Sequence, residues 1–429
     1  MLNHLKSVAK SRFVRNIFVV ATGTAGAQAI TMAFAPITTR IYGPEAFGLL
    51  GTFMAILAIA TPIAALTYPI AIVLPKSDKD ALGLAKLSAG LAVLMAALLA
   101  VFILLVGDAL AELLGLKNIS GFLLLIPVGM LLSAFHQILQ QWLIRKKQFK
   151  ITAKVAILQT LILNSVKVGV GWFHPVGTAL ILLATLGSAL HTALLWLGVR
   201  KRLSAHPDLK QVGILEAKTV KALALRHIDF PLYRAPQVAI NALSQSLPVL
   251  MLASFFGPAA AGLYSIAKMA LGAPVMLLGQ SVSTVFYPKF NEAFGNNENT
   301  NKVLLKAIGA LALVGIIPFG LIIFTGPFLF GLVFGEGWIQ SGIYAQWMAV
   351  WLYFMLITRP VVAAIPVLSI QRFFLIYEIV GVPVRVGALF LGFYLYESST
   401  VSIALFCLIN SVMYIVLTIK ALAASKRSA

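Results

Sequence analysis

The stretch Phe255–Tyr264, FFGPAAAGLY, has a counterpart near the start of the chain in Tyr42–Leu49, YGPEAFGL. Both copies contain an aromatic residue followed by Gly-Pro-x-Ala-x-Gly-Leu. Their first glycines, Gly43 and Gly257, are 214 positions apart in a chain of 429 residues. A motif repeated at half the chain length indicates a duplicated structural unit. In a membrane protein, such a duplication is typical of a transporter built from two related halves.

The composition indicates that the chain folds in a bilayer. It is 60% hydrophobic and 11% charged, with a mean hydropathy of +0.96, whereas a soluble domain carries about 25% charged residues. Only helices and closed barrels satisfy the backbone in hydrocarbon. Because the long apolar runs do not alternate with polar residues, they exclude a barrel and predict helices.

Twelve apolar runs are long enough, at about 20 residues, to cross a hydrocarbon core. The predicted fold class is therefore an all-α integral membrane protein, with two pseudo-symmetric six-helix lobes around a central cavity. The lobes are residues 1–199 and 231–429, joined by a cytoplasmic linker at 200–230. The predicted spans are 16–38, 47–74, 86–106, 120–143, 155–173, 178–199, 231–255, 262–286, 303–325, 341–369, 373–396 and 400–419.

The two motif copies fall in short loops, between spans one and two and between spans seven and eight. Gly and Pro predict a tight turn in each loop. The motif is therefore interpreted as structural and not as a binding site. Spans one and two are expected to face spans seven and eight across the cavity.

The loops of one membrane face carry 26 Lys and Arg residues, and those of the other face carry only Arg40 and Lys117. This asymmetry predicts that both termini are cytoplasmic. It also accounts for most of the net charge of +20. Nucleic acid is not an expected partner, because no basic domain lies outside the membrane.

Five cations lie inside the predicted spans, where each costs about 2.5–3.5 kcal/mol at mid-bilayer. We expect them to line a solvated, positive cavity that takes an anionic substrate such as a pyrophosphate. Two of them have a second interpretation: Arg359 is an ordinary loop residue if span ten ends at Pro360, and Arg234 could lie at the cytoplasmic mouth. The candidate substrate-binding residues are Lys167, Arg234, Lys268, Arg359 and Arg385.

Uncharged polar residues recur at helical spacing beside these cations. Small and polar residues also line ordinary contacts between helices, so the sequence leaves open whether they face the cavity or pack. The candidate cavity-lining residues are Gln28, Asn164, Gln237, Asn241 and Gln245.

Glu378 and His191 are the candidates for coupling transport to an ion. Glu378 is the one clear acid within a span and lies seven residues before Arg385, on the same face of the helix. It is interpreted either as the partner of a Lys or Arg on another helix or as a proton or cation site. His191 could take a proton near neutral pH or serve as a hydrogen-bonded structural residue.

Catalytic and metal-binding motifs are absent from the sequence, which has no P-loop, His-Glu-x-x-His or Gly-x-Ser-x-Gly pattern. Cys407 is the only cysteine, which excludes an intrachain disulfide, and it is expected to be a buried small hydrophobe. We therefore expect neither enzyme activity nor a metal site nor a cofactor. Transport would draw on a coupling ion, H⁺ or Na⁺, or on the membrane potential.

Several stretches resemble the Wzx-type polysaccharide flippases of the multidrug/oligosaccharidyl-lipid/polysaccharide exporter superfamily. These flippases translocate O-antigen and capsule repeat units. The stretches are TRIYGPEAFG (39–48), FPLYRAPQ (230–237), NALSQSLPVLMLASFFGPAAAGLYSIAKMALGAP (241–274), VFYPKF (285–290) and FGEGWIQSGIY (334–344).

The resemblance implies a flippase in the bacterial cytoplasmic (inner) membrane that serves surface polysaccharide and lipopolysaccharide synthesis. It would move an undecaprenyl-pyrophosphate-linked oligosaccharide from the inner to the outer leaflet by alternating access, using basic cavity residues. Of the five candidates, only Arg234 lies in a matched motif. The implied partners are this anionic lipid-linked oligosaccharide, membrane lipids, a polysaccharide polymerase and a chain-length regulator, and the chain would function as a monomer.

Two other transporter classes compete with this interpretation. The first is an ion-coupled drug or small-solute antiporter of the same superfamily, whose multidrug branch couples through carboxylates in the N-terminal lobe. Spans one to six contain none. The second is a major-facilitator-type transporter, whose basic glycine-rich motif is expected after span two, where this chain has LPKSDKD (74–80).

Overall fold

The structure is a computed structural model that describes residues 12–113, 117–204, 217–296 and 298–427. These residues form α-helices joined by short turns, and no β-strand occurs among them. The predicted all-α fold class is confirmed. The basic residues before position 12 and residues 205–216 of the predicted linker lie outside the described residues.

The helices of the described residues are numbered in chain order. They are α1 (Arg12–Ala64), α2 (Tyr68–Ala71), α3 (Asp78–Leu113), α4 (Leu125–Arg145), α5 (Phe149–Phe173), α6 (Gly177–Ser204), α7 (Ala217–Arg226), α8 (Ala235–Phe256), α9 (Pro258–Gly295), α10 (Thr300–Phe334), α11 (Ile339–Ile357), α12 (Arg359–Ala364), α13 (Gln371–Tyr396) and α14 (Ser399–Arg427). Lys117–Leu124 and Glu336–Trp338 are 3₁₀ helices, and Phe230–Arg234 is a π-helical turn.

Ten helical stretches of the described residues are long and apolar enough to span a membrane. The first of these, Thr22–Ala64, has 43 residues and contains most of the first predicted span and most of the second. Helix α9 covers the predicted span 262–286. Each of the twelve predicted spans therefore has a helical counterpart, and the protein is a multi-pass membrane protein.

Two predicted spans are not continuous helices. In the second, Leu66 and Thr67 have positive φ angles of 48° and 57°, so α1 ends at Ala64 and α2 follows as a separate turn. In the tenth, α11 ends at Ile357, and α12 begins at Arg359 with a proline as its second residue. Proline removes a backbone donor and clashes with the preceding turn, which accounts for such breaks.

The chain divides into two compact units. One consists of Met1–Tyr42 and Leu49–Leu250, and the other of Gly43–Gly48 and Met251–Ala429. The predicted lobes at 1–199 and 231–429 stay a prediction. In the first unit, Phe53, Ile126 and Met130 lie in one apolar core cluster and Leu84 and Trp142 in another. In the second unit, a core cluster contains Phe290, Leu304 and Leu417.

The repeated motif has the same backbone geometry in both copies. Gly43 has φ and ψ angles of 61° and 171°, and Gly257 has angles of 84° and 172°. Only glycine adopts this region readily. The predicted turn is thus confirmed in both copies, since Gly43 divides α1 into two helical segments just as Gly257 separates α8 from α9.

The two copies also pack against each other within the second unit. A Cβ atom on Gly48 would collide with the carbonyl group of Pro258, and a Cβ atom on Gly262 would collide with the carbonyl group of Pro44. The contact is reciprocal because Pro44 and Gly48 are the repeat counterparts of Pro258 and Gly262. The second glycine of the motif is therefore required for close packing as well as for opening the next helix.

Candidate functional site

The five intramembrane cations divide between the two units. In the first unit, Lys167 lies on α5 and Arg234 ends the π-helical turn before α8. In the second, Lys268 lies on α9, Arg359 begins α12 and Arg385 lies on α13. All five stay candidates for substrate binding, and a common cavity stays a prediction.

Two hydrogen bonds tie the segment that precedes Arg234 to the start of α2. Thr67 Oγ1 donates a hydrogen bond of 3.1 Å to the carbonyl of Phe230, and Tyr68 Oη donates one of 3.0 Å to the carbonyl of Ala224. π-Helical turns are rare in proteins overall, and those that occur often lie at functional sites. The turn starts α8 with Arg234 exposed.

A polar stripe continues from Arg234 along one face of α8. Gln237, Asn241 and Gln245 follow at intervals of three and four residues, as expected for one helix face. All four side chains are exposed. None of the four side chains is therefore buried, and whether the stripe faces a cavity stays a prediction.

Lys167 is half-buried on α5, and Tyr42 contacts the helix at this point. Its backbone carbonyl accepts a hydrogen bond of 2.8 Å from Tyr42 Oη. The ring of Tyr42 occupies the space that a Cβ atom on Gly171 would need. Among the described residues, no carboxylate forms an ion pair with Lys167.

Asn164 and Gln28 differ from the α8 stripe. Asn164 is only 5% exposed, and its Nδ2 donates a hydrogen bond of 2.8 Å to the carbonyl of Thr160, one turn earlier on α5. Gln28 is half-buried on α1. For Asn164, the geometry corresponds to the packing interpretation.

His191 has a histidine neighbour that the sequence reasoning missed. Its ring on α6 lies against that of His136 on α4, with centroids 4.4 Å apart and planes 66° apart. Nearby, Thr192 Oγ1 donates to the carbonyl of Leu132 at 3.3 Å, which ties the same two helices together. The available signal was the position of His136 within an otherwise apolar span.

Glu378 forms an ion pair with a residue of its own helix. Glu378 Oε2 lies 3.5 Å from Arg385 Nη1, which corrects the expectation of a partner on another helix. The two long side chains span the two helical turns that separate them. The Glu378 side chain is 46% exposed and that of Arg385 only 16%, so the pair is accessible from the carboxylate side.

Further polar groups of the second unit surround this ion pair. The hydroxyl of Tyr414 on α14 lies within electrostatic reach of Arg385, Arg359 and Glu378, and Tyr377 precedes Glu378 on α13. Neither tyrosine was predictable from the sequence, because both lie in apolar runs. Several buried polar atoms of this region have no hydrogen-bond partner among the described residues: Arg359 Nε, Arg385 Nε, Tyr377 Oη and Trp351 Nε1.

A family model described as "Polysaccharide biosynthesis protein" matches residues 37–342, which is more than two thirds of the chain. The chain belongs to this polysaccharide biosynthesis family. The predicted resemblance is confirmed. No curated protein matches the chain.

Solved structures show which fold this polysaccharide biosynthesis protein has. It is similar to the lipid II flippase MurJ in an inward closed conformation, with a TM-score of 0.68, 12% identity and coverage of 96% of this chain and 90% of that one. It is also similar to an inward-facing MATE family multidrug resistance transporter of the MOP superfamily, with a TM-score of 0.66, 16% identity and coverage of 93% and 96%. A MOP superfamily transporter from Pyrococcus furiosus Vc1 has a TM-score of 0.57, 14% identity and coverage of 96% of each chain. The fold is that of MOP superfamily transporters.

Within the described part of this polysaccharide biosynthesis protein, no group of three or more His, Cys, Asp and Glu residues could hold a metal ion. Cys407 is buried, as predicted.

Outside the spans, burial and the neighbouring Arg226 lower the pKa of His227, just before the π-helical turn. His227 is therefore less readily protonated than an ordinary histidine.

Proposed function

We propose that the protein is a flippase for an undecaprenyl-pyrophosphate-linked oligosaccharide in the bacterial cytoplasmic membrane. It moves this lipid from the inner to the outer leaflet by alternating access, and it serves the synthesis of a surface polysaccharide such as O-antigen or lipopolysaccharide. Membership of the polysaccharide biosynthesis family supports the pathway. A fold shared with a lipid II flippase supports the reaction class.

The observation that carries the proposal is the exposed stripe of Arg234, Gln237, Asn241 and Gln245 on α8. An amide group facing hydrocarbon without a hydrogen-bond partner costs several kcal/mol. Exposed polar positions that recur along one face of a spanning helix are therefore favoured where that face meets water or a polar ligand. A hydrated path along a spanning helix is what a sugar chain needs to cross the membrane.

The charge balance supports a pyrophosphate as the anionic part of the substrate. Five cations lie in the spans, and the one clear acid, Glu378, is already paired with Arg385. The excess of positive charge favours a dianionic or more highly charged group, which Arg and Lys bind through charge-assisted hydrogen bonds. A cationic drug would instead be repelled.

Energy coupling and assembly belong to the same proposal. Without a P-loop, the chain would use an H⁺ or Na⁺ gradient or the membrane potential, with Glu378 and His191 as the candidate coupling residues. Both termini would be cytoplasmic. The protein would act as a monomer and deliver its cargo to a polymerase and a chain-length regulator, without catalysing a reaction itself.

The decisive experiment measures the lipid-linked precursor in a strain that lacks this chain. We expect the precursor to accumulate in the inner leaflet and the surface polysaccharide to be lost, and the wild-type chain to restore both. Unchanged polysaccharide and precursor orientation would contradict the proposal. If drug sensitivity rose instead, the alternative of an ion-coupled drug or small-solute antiporter would replace it.

A variant test addresses the α8 stripe. Arg234→Ala removes a charge-assisted hydrogen bond of about 1.5–3 kcal/mol, so transport should fall about 10- to 100-fold at equal expression. The matched control is Arg200→Ala, which removes an exposed arginine near the end of α6. Equal transport by both variants would show that Arg234 does not contact the substrate.

A further inference from the structure

An apolar groove of about 270 Å³ lies between α13 and α14 in the second unit. On α13 it is lined at helical spacing by Phe373, Ile376, Val380 and Val384, and on α14 by Val412 and Val416. Most of these side chains are exposed, with Ile376 at 61%. In a spanning helix pair, such a groove opens to the hydrocarbon of the bilayer.

The length of the groove corresponds to one leaflet. Phe373 and Val384 are eleven residues apart, which is about 16 Å at 1.5 Å per residue. The hydrocarbon core of a bilayer is about 30 Å thick, so one leaflet contributes about 15 Å. A single acyl chain of a lipid residing in one leaflet would therefore fill the groove from end to end.

The floor of the groove is deepened at Gly381. A Cβ atom at this position would collide with the terminal methyl group of Met413 and would approach Arg385 Cζ to 3.3 Å. The missing side chain leaves an opening between the two helices. Tyr377 and Gly381 line the groove and also adjoin Arg385, which itself does not line it.

Two exposed basic side chains lie at the Phe373 end of the groove, whereas Arg385, beside Val384 near the other end, is paired with Glu378. Lys420 Nζ lies 5.4 Å from the centre of the Phe373 ring, which is the last lining residue at that end. Arg372 immediately precedes Phe373 on α13 and is exposed. Cations at a membrane interface attract anionic headgroups by about 1 kcal/mol each, which is about a fivefold gain in affinity.

We propose that this groove is a binding site for an anionic glycerophospholipid. One acyl chain lies along Phe373–Val384 between α13 and α14, and the phosphate contacts Lys420 and Arg372. The site does not depend on the proposed flippase function. It makes the second unit sensitive to the anionic lipid content of the leaflet.

Native mass spectrometry of the delipidated full-length protein tests this site. The protein in detergent is titrated with phosphatidylglycerol or with phosphatidylcholine of the same acyl chains. We expect one phosphatidylglycerol to be retained at least fivefold more tightly than phosphatidylcholine. Val380→Phe, which fills the groove from α13, should abolish this retained lipid, and Val412→Phe should do the same from α14.

Two control variants separate the groove from the general lipid surface. Ile379→Phe changes a 63% exposed neighbour that does not line the groove, and it should retain the lipid. Lys420→Gln should lower phosphatidylglycerol affinity about fivefold without affecting phosphatidylcholine, whereas Lys302→Gln on α10 should change neither.

Three outcomes would overturn the proposal. Retention of the lipid by folded Val380→Phe and Val412→Phe would show that the groove is not the site. Equal affinity for the two phospholipids would show that the headgroup is not recognised by charge. Displacement of phosphatidylglycerol by a polyprenyl phosphate at a one-to-one ratio would identify a prenyl chain as the occupant.

Discussion

The two units place different polar pairs inside their apolar helices. In the first, His136 and His191 join α4 to α6 with ring centroids 4.4 Å apart. In the second, Glu378 and Arg385 form an ion pair 3.5 Å long within α13. The first pair is a ring contact between two helices, whereas the second joins two opposite charges of one helix. The comparison indicates that the polar pair of the first unit connects two helices and that of the second unit lies along a single helix.

The largest expected effect is on the ion pair. Arg385→Ala leaves Glu378 without its partner. Breaking a fully buried pair costs about 3–5 kcal/mol, and we expect about 2 kcal/mol because the Glu378 side chain is 46% exposed. The free energy of unfolding in detergent measures the loss. The double variant Glu378→Gln with Arg385→Gln should recover part of it, and no recovery would show that the two side chains do not interact.

A smaller effect is expected for Glu378→Gln, because the amide oxygen of Gln can still accept a hydrogen bond from Arg385. We expect a loss of about 1 kcal/mol in unfolding free energy. If the charge of the second unit is only structural, transport keeps its dependence on the ion gradient. A transport rate that no longer responds to the gradient would make Glu378 the coupling residue and would break the comparison.

The histidine pair should contribute less to stability. A double-mutant cycle with His136→Leu and His191→Leu should give a coupling free energy of about 0.5–1.5 kcal/mol, the range for aromatic pairs. If the pair takes up a proton during transport, the same variants should also change the dependence of transport rate on pH. A wild-type pH profile in both variants would assign the pair to packing alone.

The smallest effect is expected at Asn164. Its side chain bonds only to a carbonyl of its own helix, so Asn164→Leu, of similar volume, should change the unfolding free energy by less than about 1 kcal/mol. Transport should stay within twofold of wild type. A large loss of transport with normal stability would instead place Asn164 among the residues that contact the substrate.

Much of the fold was predictable because its signals are local. Apolar runs of about 20 residues identified the helices, and the Gly-Pro motif identified two turns whose backbone angles agree closely. Helical spacing also grouped Arg234 with Gln237, Asn241 and Gln245, which share an exposed face. These features depend on residues within a few turns of one another.

Contacts between helices were not predictable in the same way. Nothing local to His136 indicated that it meets His191, and the spacing that placed Glu378 and Arg385 on one face did not show whether their side chains meet. The rotation of each helix about its axis decides such contacts, and packing against distant helices sets that rotation.

The sequence by itself determined the membrane class, the helices and the duplication of the Gly-Pro motif, because composition, hydrophobic run length and glycine-specific backbone angles are properties of short segments. Only the tertiary structure decided that the two copies of the motif pack against each other, with Gly48 against Pro258 and Gly262 against Pro44. That contact joins residues more than 200 positions apart. It forms because each missing side chain makes room for a backbone carbonyl that folding brings to it.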